Sequence, residues 1–388
     1  MALTGQAWPG YWSKRACSHR RLADGLGVGW PDSSLSAAGA RFAARRRKQH
    51  ARARALPRIL RILRTDDRVT MTRKMSSLWM TTAVLTAGIC LAQFQPRSGS
   101  SPRSSESGRF IRIEGGAVID EDTVRTARET GFHSTDTPAW TNPPGFERDV
   151  FTFARVIFQS DAAASPRAGI GRRLGWWVDY PDADLNLSFR LQQLTSIRTD
   201  PDARVLKLTD PALFDYPLLY LEHAGYMRLS DEEVAILRRY LACGGALFVN
   251  DFWGTQEWDG FAGQVERVLP NRSWTDLEIE HPVFHCVFNL QGPMFRLRVP
   301  TMQFWNEGHD PDDPQSPPQR VSRGEGWEEM HVRALLDDAG RIMILAIHNS
   351  DVSDGWEREG ENDLYFNRYS EKIAYPLGIN LVFFLMTH

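Results

Sequence analysis

An α/β fold with a mainly parallel, doubly wound sheet is the class that this 388-residue sequence predicts. Three observations carry it. The stretch Leu229 to Gly254, LSDEEVAILRRYLACGGALFVNDFWG, holds a helix, its stop and a following strand. Short apolar runs at 205–208, 218–221, 246–249 and 341–347 alternate with helical periods, the pattern of consecutive parallel strands. The chain closes on an apolar helix, Tyr375 to Thr387, suited to packing on such a sheet.

The helix of the first stretch starts at a capping box, Ser230 with Glu233, where the hydroxyl takes an orphan N–H and the carboxylate reaches back. Asp231, Glu232 and Glu233 place negative charge at the positive end of the helix dipole. Val234, Leu237, Tyr240 and Leu241 form one apolar face. Gly244 and Gly245 end the helix, because glycine adopts positive φ at little steric cost. Ala246 to Val249 then reads as a strand buried on both faces, and the chain turns polar at Asn250 and Asp251. Ligands of open α/β sheets bind outside the carboxyl ends of the strands, so this turn is the first place to look for a site.

Charge divides the chain. Residues 1–70 hold 15 Lys and Arg against 4 Asp and Glu, whereas residues 93–388 hold 29 against 44. The basic segment has no sustained apolar period and reads as a disordered N-terminal region, or as sequence upstream of a later start at Met71 or Met75. Arg73 and Lys74, the apolar run Leu78 to Leu91 and the small-residue end at Ala92 read as a signal peptide over 71–92. Export to the periplasm or cell envelope follows, with an uncleaved anchor as the runner-up, and no other membrane span is expected. The acidic remainder lacks the basic stripe that phosphate backbones need, so nucleic acid is not an expected partner.

Residues 93–150, rich in Ser, Pro and Arg, read as linker with a short helix over Asp120 to Thr130. The compact domain is expected over 151–388, opening on the strand FTFARVIF. The glycines of GIGRRLGWW fit neither the dinucleotide nor the triphosphate spacing, so no cofactor is expected. Leu187, Leu191 and Leu194 share a helical face behind Asp182 or Asp184 as cap, although Leu185 to Leu191 also alternates as a strand would; helix is the choice. A helix over Trp258 to Val268 and a strand over Leu277 to Ile279 follow, and residues 291–326 form a polar excursion.

Several strings together resemble the bacterial domain of unknown function 4159 family. They are DYPDADLNLSFRLQQLT, LTDPALFDYPLLYLE, the 229–254 stretch, HPVFHCVF, HNSDVSDGWEREGE and YPLGINLVFFLMTH. That family is similar to the class I glutamine amidotransferase-like superfamily, ThuA-like proteins included. The resemblance implies a flavodoxin-like three-layer sandwich over 151–388 and implies no established activity. True glutaminases of the superfamily use a cysteine on a sharp strand-to-helix turn. Here Cys243 and Cys286 lie in apolar surroundings elsewhere, and a glutaminase is not expected.

The polar groups at strand ends are the candidate site. Asp251, His348 and His223 are the residues for acid–base chemistry. Asn250, Trp253, Asp179, Asp182, Asn349, Asp351, Asp354 and Trp356 are the binding candidates, the two tryptophans as stacking platforms for a sugar. Each has a structural alternative: Asp182 as helix cap, Asp351 and Asp354 as turn formers, the histidines as bonded strand ends. No metal site is expected. His281 and His285 are interrupted by Pro282; a hard-cation site at Asp351 and Asp354 stays open as an alternative, although the EF-hand spacing is missing. The leading expectation is an envelope binding module for carbohydrate or protein, the alternative a hydrolase or isomerase of a carbohydrate-like substrate.

Overall fold

The computed structural model describes residues 110–388, apart from 132, 135, 146–148 and 162–174. The basic segment 1–70 and the segment 71–92 expected as a signal peptide lie outside the described residues. Within the span expected as linker, β1 (Phe110–Arg112) and β2 (Val118–Asp120) pair as an antiparallel hairpin. Ile113, Ile119, Val124 and Ala127 from this region are buried in the core, and Arg128 donates to the carbonyls of Pro201, Thr137 and Pro138. Of the helix expected over 120–130, only a single 3-10 turn at Ala127–Glu129 forms.

The central sheet has seven strands. β3 (Ala154–Ile157), β5 (Arg204–Lys207), β6 (Leu218–Glu222), β8 (Ala246–Phe252) and β11 (Ile342–His348) are parallel. β9 (Thr275–Asp276) and β10 (His331–Leu336) continue the sheet antiparallel beyond β11. The spatial order is β5-β3-β6-β8-β11-β10-β9, and β4 (Gln159–Ser160) with β7 (Met227–Arg228) makes a separate short pair. Every residue of β3, β6, β8 and β11 is buried, as strands covered on both faces should be.

The helices follow the sequence closely. α1 (Asp182–Leu194) settles the helix-or-strand ambiguity, with Leu185, Leu187 and Leu191 buried. Neither Asp182 nor Asp184 caps it, because both side chains are used elsewhere. α2 (Asp231–Ala242) has the complete capping box, Glu233 N–H donating to Ser230 Oγ at 3.2 Å and Ser230 N–H donating back to Glu233 Oε2 at 2.8 Å. α3 (Gly254–Val268) starts four residues earlier than its apolar period indicates, directly after β8. Gly254 sits at φ 70°, and a Cβ there would lie 2.9 Å from the carbonyl oxygen of Glu325, so the 323–326 loop closes over the helix start only with glycine. α4 (Asp354–Glu357) follows β11, and a π-helical stretch at Phe366–Ala374 runs into α5 (Tyr375–Thr387). α1, α4 and α5 pack with one another, and α2 packs with α3. No helix among the described residues is long and apolar enough to cross a membrane.

Candidate functional site

The backbone turns through an uncommon conformation at the carboxyl ends of three parallel strands and once more in the segment that leads into α1. His223 after β6, Asp251 in β8, Asn349 after β11 and Asp179 just before α1 have φ of 52°, 51°, 64° and 58°. Asn and Asp tolerate the left-handed region better than most residues, yet such positions persist only where the surroundings fix them, and they gather at functional sites.

The turns bring carboxylates together. One oxygen each from Asp179, Asp251 and Asp351 lies within 4.8 Å of the others, and Asp179, Asp354 and Glu357 form a second such trio. All five are buried. Asp251 Oδ1 accepts from Trp253 Nε1 at 2.6 Å and lies 3.8 Å from Arg323 Nη2, while Oδ2 is 3.9 Å from His223 Nε2. Asp351 Oδ2 accepts from Thr301 Oγ1 at 2.8 Å, and Oδ1 accepts from Ser353 Oγ and from the Asp354 N–H. Asn250 donates to Ser353 Oγ at 2.7 Å, and Ser353 Oγ also reaches Glu222 Oε1 at 3.2 Å. Tyr220 closes this network with a hydroxyl bond to the other Glu222 oxygen.

Arg358 compensates the second trio, its Nε lying 3.2 Å from Asp354 Oδ1 and 2.5 Å from Glu357 Oε2. His133 Nε2 stands 2.6 Å from Glu357 Oε1. Desolvation dominates the electrostatics of the cluster. Burial raises the carboxyls of Asp179, Glu222, Asp351 and Glu357 well above their ordinary range, and neighbouring carboxylates add to the rise in all four, with Arg358 opposing it at Glu357. Burial holds Asp251 up to about 6, against the opposing pull of Arg323 and the Trp253 N–H.

Of the residues expected from sequence, the fold unites Asp251, His223, Asn250, Asp179, Asp351 and Asp354. Asp182 lies at the edge of the cluster, accepting from the Ser134 N–H at 3.2 Å and 3.5 Å from His133 Nε2. His348 is not a partner for Asp251. Its Nε2 meets the Gly254 carbonyl at 3.0 Å and its Nδ1 meets Arg333 Nη1 at 3.3 Å. A carbonyl only accepts and a guanidinium only donates, so the ring is the neutral Nε2–H tautomer with its lone pair already taken. Asn349 is spent on scaffolding, accepting from the Gly254 N–H at 2.7 Å and donating to the carbonyls of Gly326 and Glu329.

The tryptophans do not serve as exposed platforms. Trp356 is fully buried against Tyr220 and Phe248 and donates to the Ala374 carbonyl at 2.9 Å. Trp253 is 1% exposed, with Arg323 over its ring. The apolar context that recommends a tryptophan for stacking also recommends it for the core, and here the core takes both.

Beside the cluster opens a cleft of about 440 Å³ whose walls include Tyr226, Trp253, Glu257, Asp259 and Arg323. Trp253 and Arg323 touch both the cleft and Asp251. Arg323, Glu357, Arg358, Thr301, Ser353 and His133 escape the sequence reading. Glu357 and Arg358 fall inside the string HNSDVSDGWEREGE and share a helical turn with Asp354, which is the one signal that pointed to them. Arg323 comes from the polar excursion, where no periodicity singles it out. His281 and His285 do not converge on a metal: His281 Nδ1 accepts from the Val283 N–H, and His285 bonds Asn289 and the Ile279 carbonyl. Cys286 is a free thiol that donates to the Asn380 carbonyl at 3.2 Å.

The model of a family described as Domain of unknown function (DUF4159) matches residues 164–386. No curated protein matches the chain.

Proposed function

We propose, for a chain that belongs to the DUF4159 family, that the strand-end cluster is a small-molecule site with acid–base chemistry, a hydrolase or isomerase acting on a polar, carbohydrate-like substrate. One observation carries this reading. Asp251 and His223 come from adjacent parallel strands, both in the left-handed conformation, and face each other at 3.9 Å beside a cleft. An aspartate and an imidazole so placed can pass a proton to and from a substrate oxygen, Asp251 as acid and His223 as base. The strand order of the parallel part, second-first-third-fourth-fifth in chain order, supports the flavodoxin-like, amidotransferase-like reading of the domain. No cysteine occupies any of the left-handed strand-end positions, which argues against glutaminase chemistry. Export rests on the sequence of residues 71–92 and is part of the same proposal.

The second reading is a binding module of the cell envelope. It is favoured by the position of Arg323 and Trp253, since a ligand in the cleft meets Arg323, Glu257 and Asp259 before it meets Asp251. Thermal shift of the full-length protein against sugars and nucleotides, repeated with Asp251→Asn, separates the two. An enzyme gives ligand shifts and turnover that the variant loses. A binding module gives shifts that survive Asp251→Asn, with no turnover, and that outcome sinks the acid–base reading.

A further inference from the structure

Asp179 is the common member of both carboxylate trios. Its Oδ2 is buried and accepts no hydrogen bond, although the residue is only 8% exposed. A buried carboxylate oxygen without a donor is costly unless something positive completes it. The two trios differ in what is already present. Asp354 and Glu357 are matched by Arg358 at 3.2 and 2.5 Å, with His133 as a further partner. Asp179, Asp251 and Asp351 have no cationic group in such close contact: Arg323 lies 3.8 Å and His223 3.9 Å from Asp251, and Arg358 acts on Asp179 through space.

We propose that Asp179, Asp251 and Asp351 bind a hard divalent cation of the Ca²⁺ or Mg²⁺ class. The donors are all carboxylate oxygens, which suits such ions and disfavours thiophilic metals. Their orientation is fixed from behind: Trp253 Nε1 holds Asp251, while Thr301, Ser353 and the Asp354 N–H hold Asp351. Support of this kind, aimed at the ligands rather than at the ion, is what built metal sites carry. Three aspartates, one oxygen each, supply half or fewer of the ligands such ions take, so water or an oxygen of a substrate completes the shell. The inference deepens the reading of this site as a small-molecule centre and rests on it in that respect: with Asp251 taken up as a ligand, the ion would polarise a substrate oxygen and His223 would carry the proton.

The test uses the full-length protein stripped with a chelator. Tb³⁺, a luminescent surrogate for Ca²⁺, is titrated in and its emission excited through tryptophan; Ca²⁺, Mg²⁺ and Mn²⁺ then compete. The expected result is saturable emission displaced by at least one of the three ions, with affinity reduced about tenfold or more in Asp179→Asn and in Asp351→Asn. Glu357→Gln, in the other trio, leaves the affinity close to wild type. Because Trp253 touches and holds Asp251, Trp253→Phe removes most of the sensitised emission while calorimetry registers weakened but saturable binding, a readout independent of the aspartate variants. No saturable signal, or equal binding by wild type and Asp179→Asn, overturns the inference, as does loss confined to Glu357→Gln. An organic-ligand shift that depends on Asp251 and survives the chelator, with no ion bound, removes the cation and leaves the acid–base reading standing. Ion binding without any such shift does the reverse.

Discussion

Trp253 donates its indole N–H to Asp251 Oδ1 at 2.6 Å across a backbone that Asp251 bends into the left-handed region. The indole is thus a clamp on the carboxylate. Truncating it to Trp253→Phe leaves a buried oxygen short of its charged-group hydrogen bond, a loss of roughly 1.5–3 kcal/mol. Urea unfolding of the two proteins reads this directly, and an unchanged midpoint would mean that the bond contributes nothing.

A second buried pair should be far less tolerant. Arg155 and Asp184 are both fully buried, with Nε to Oδ1 at 2.9 Å, and Arg155 also satisfies the carbonyls of Trp176 and Val178. Removing one partner strands the other charge in the core. Arg155→Met is expected to cost about 3–5 kcal/mol, and the double change Arg155→Met with Asp184→Leu to recover a large part of it. Chemical denaturation of the double-mutant cycle measures the coupling; additive losses would contradict the account.

His348 gives the clearest dependence on pH. Burial among Phe252, Trp258 and His331 lowers it from 6.5 to about 3, with Arg333 and His331 acting in the same sense and the Gly254 carbonyl opposing. The folded state therefore keeps a neutral ring where the unfolded chain takes up a proton. The stability this contributes is full above pH 6.5 and is lost as pH falls from there toward about 3, at roughly 1.4 kcal/mol per pH unit. His348→Gln should flatten the acid limb of stability against pH, and equal slopes for the two proteins would show that His348 does not set it.

Two glycines of α3 make opposite predictions. Gly254→Ala forces a Cβ to 2.9 Å from Glu325 O at φ 70° and should destabilise by more than about 1 kcal/mol. Gly263 is exposed with nothing within 4 Å of a Cβ, so Gly263→Ala should stabilise by roughly 0.5–1 kcal/mol. Melting temperatures of the two variants should move apart, and movement in the same direction would contradict the contacts described.

Much of the fold is written locally. The Ser230 box, the double glycine and the Ala246 strand need only neighbours within a few residues, and each appears where the sequence places it. The antiparallel β10 is less legible, because His331–Leu336 mixes polar and apolar residues and gains its identity by pairing with β11. The hairpin at 110–120 hides for the same reason: its strands have exposed faces, and only Ile113 and Ile119 report burial. In the site, residue types at strand ends are readable, whereas the directions of their side chains are not. The left-handed turns at His223, Asp251 and Asn349 reorient each side chain, which is why His223 meets Asp251 while His348 turns to Gly254 and Arg333.

The central claim is that the acidic cluster serves a function at the expense of stability. Asp179→Asn tests it most directly, because asparagine is isosteric, tolerates φ 58° and removes the shared titratable carboxyl from both trios. With divalent ions removed, the account predicts a higher melting temperature for the variant, by about 2–4 °C for each kcal/mol of repulsion relieved. A melting temperature lowered by several degrees would show that Asp179 is a structural residue and would contradict the account.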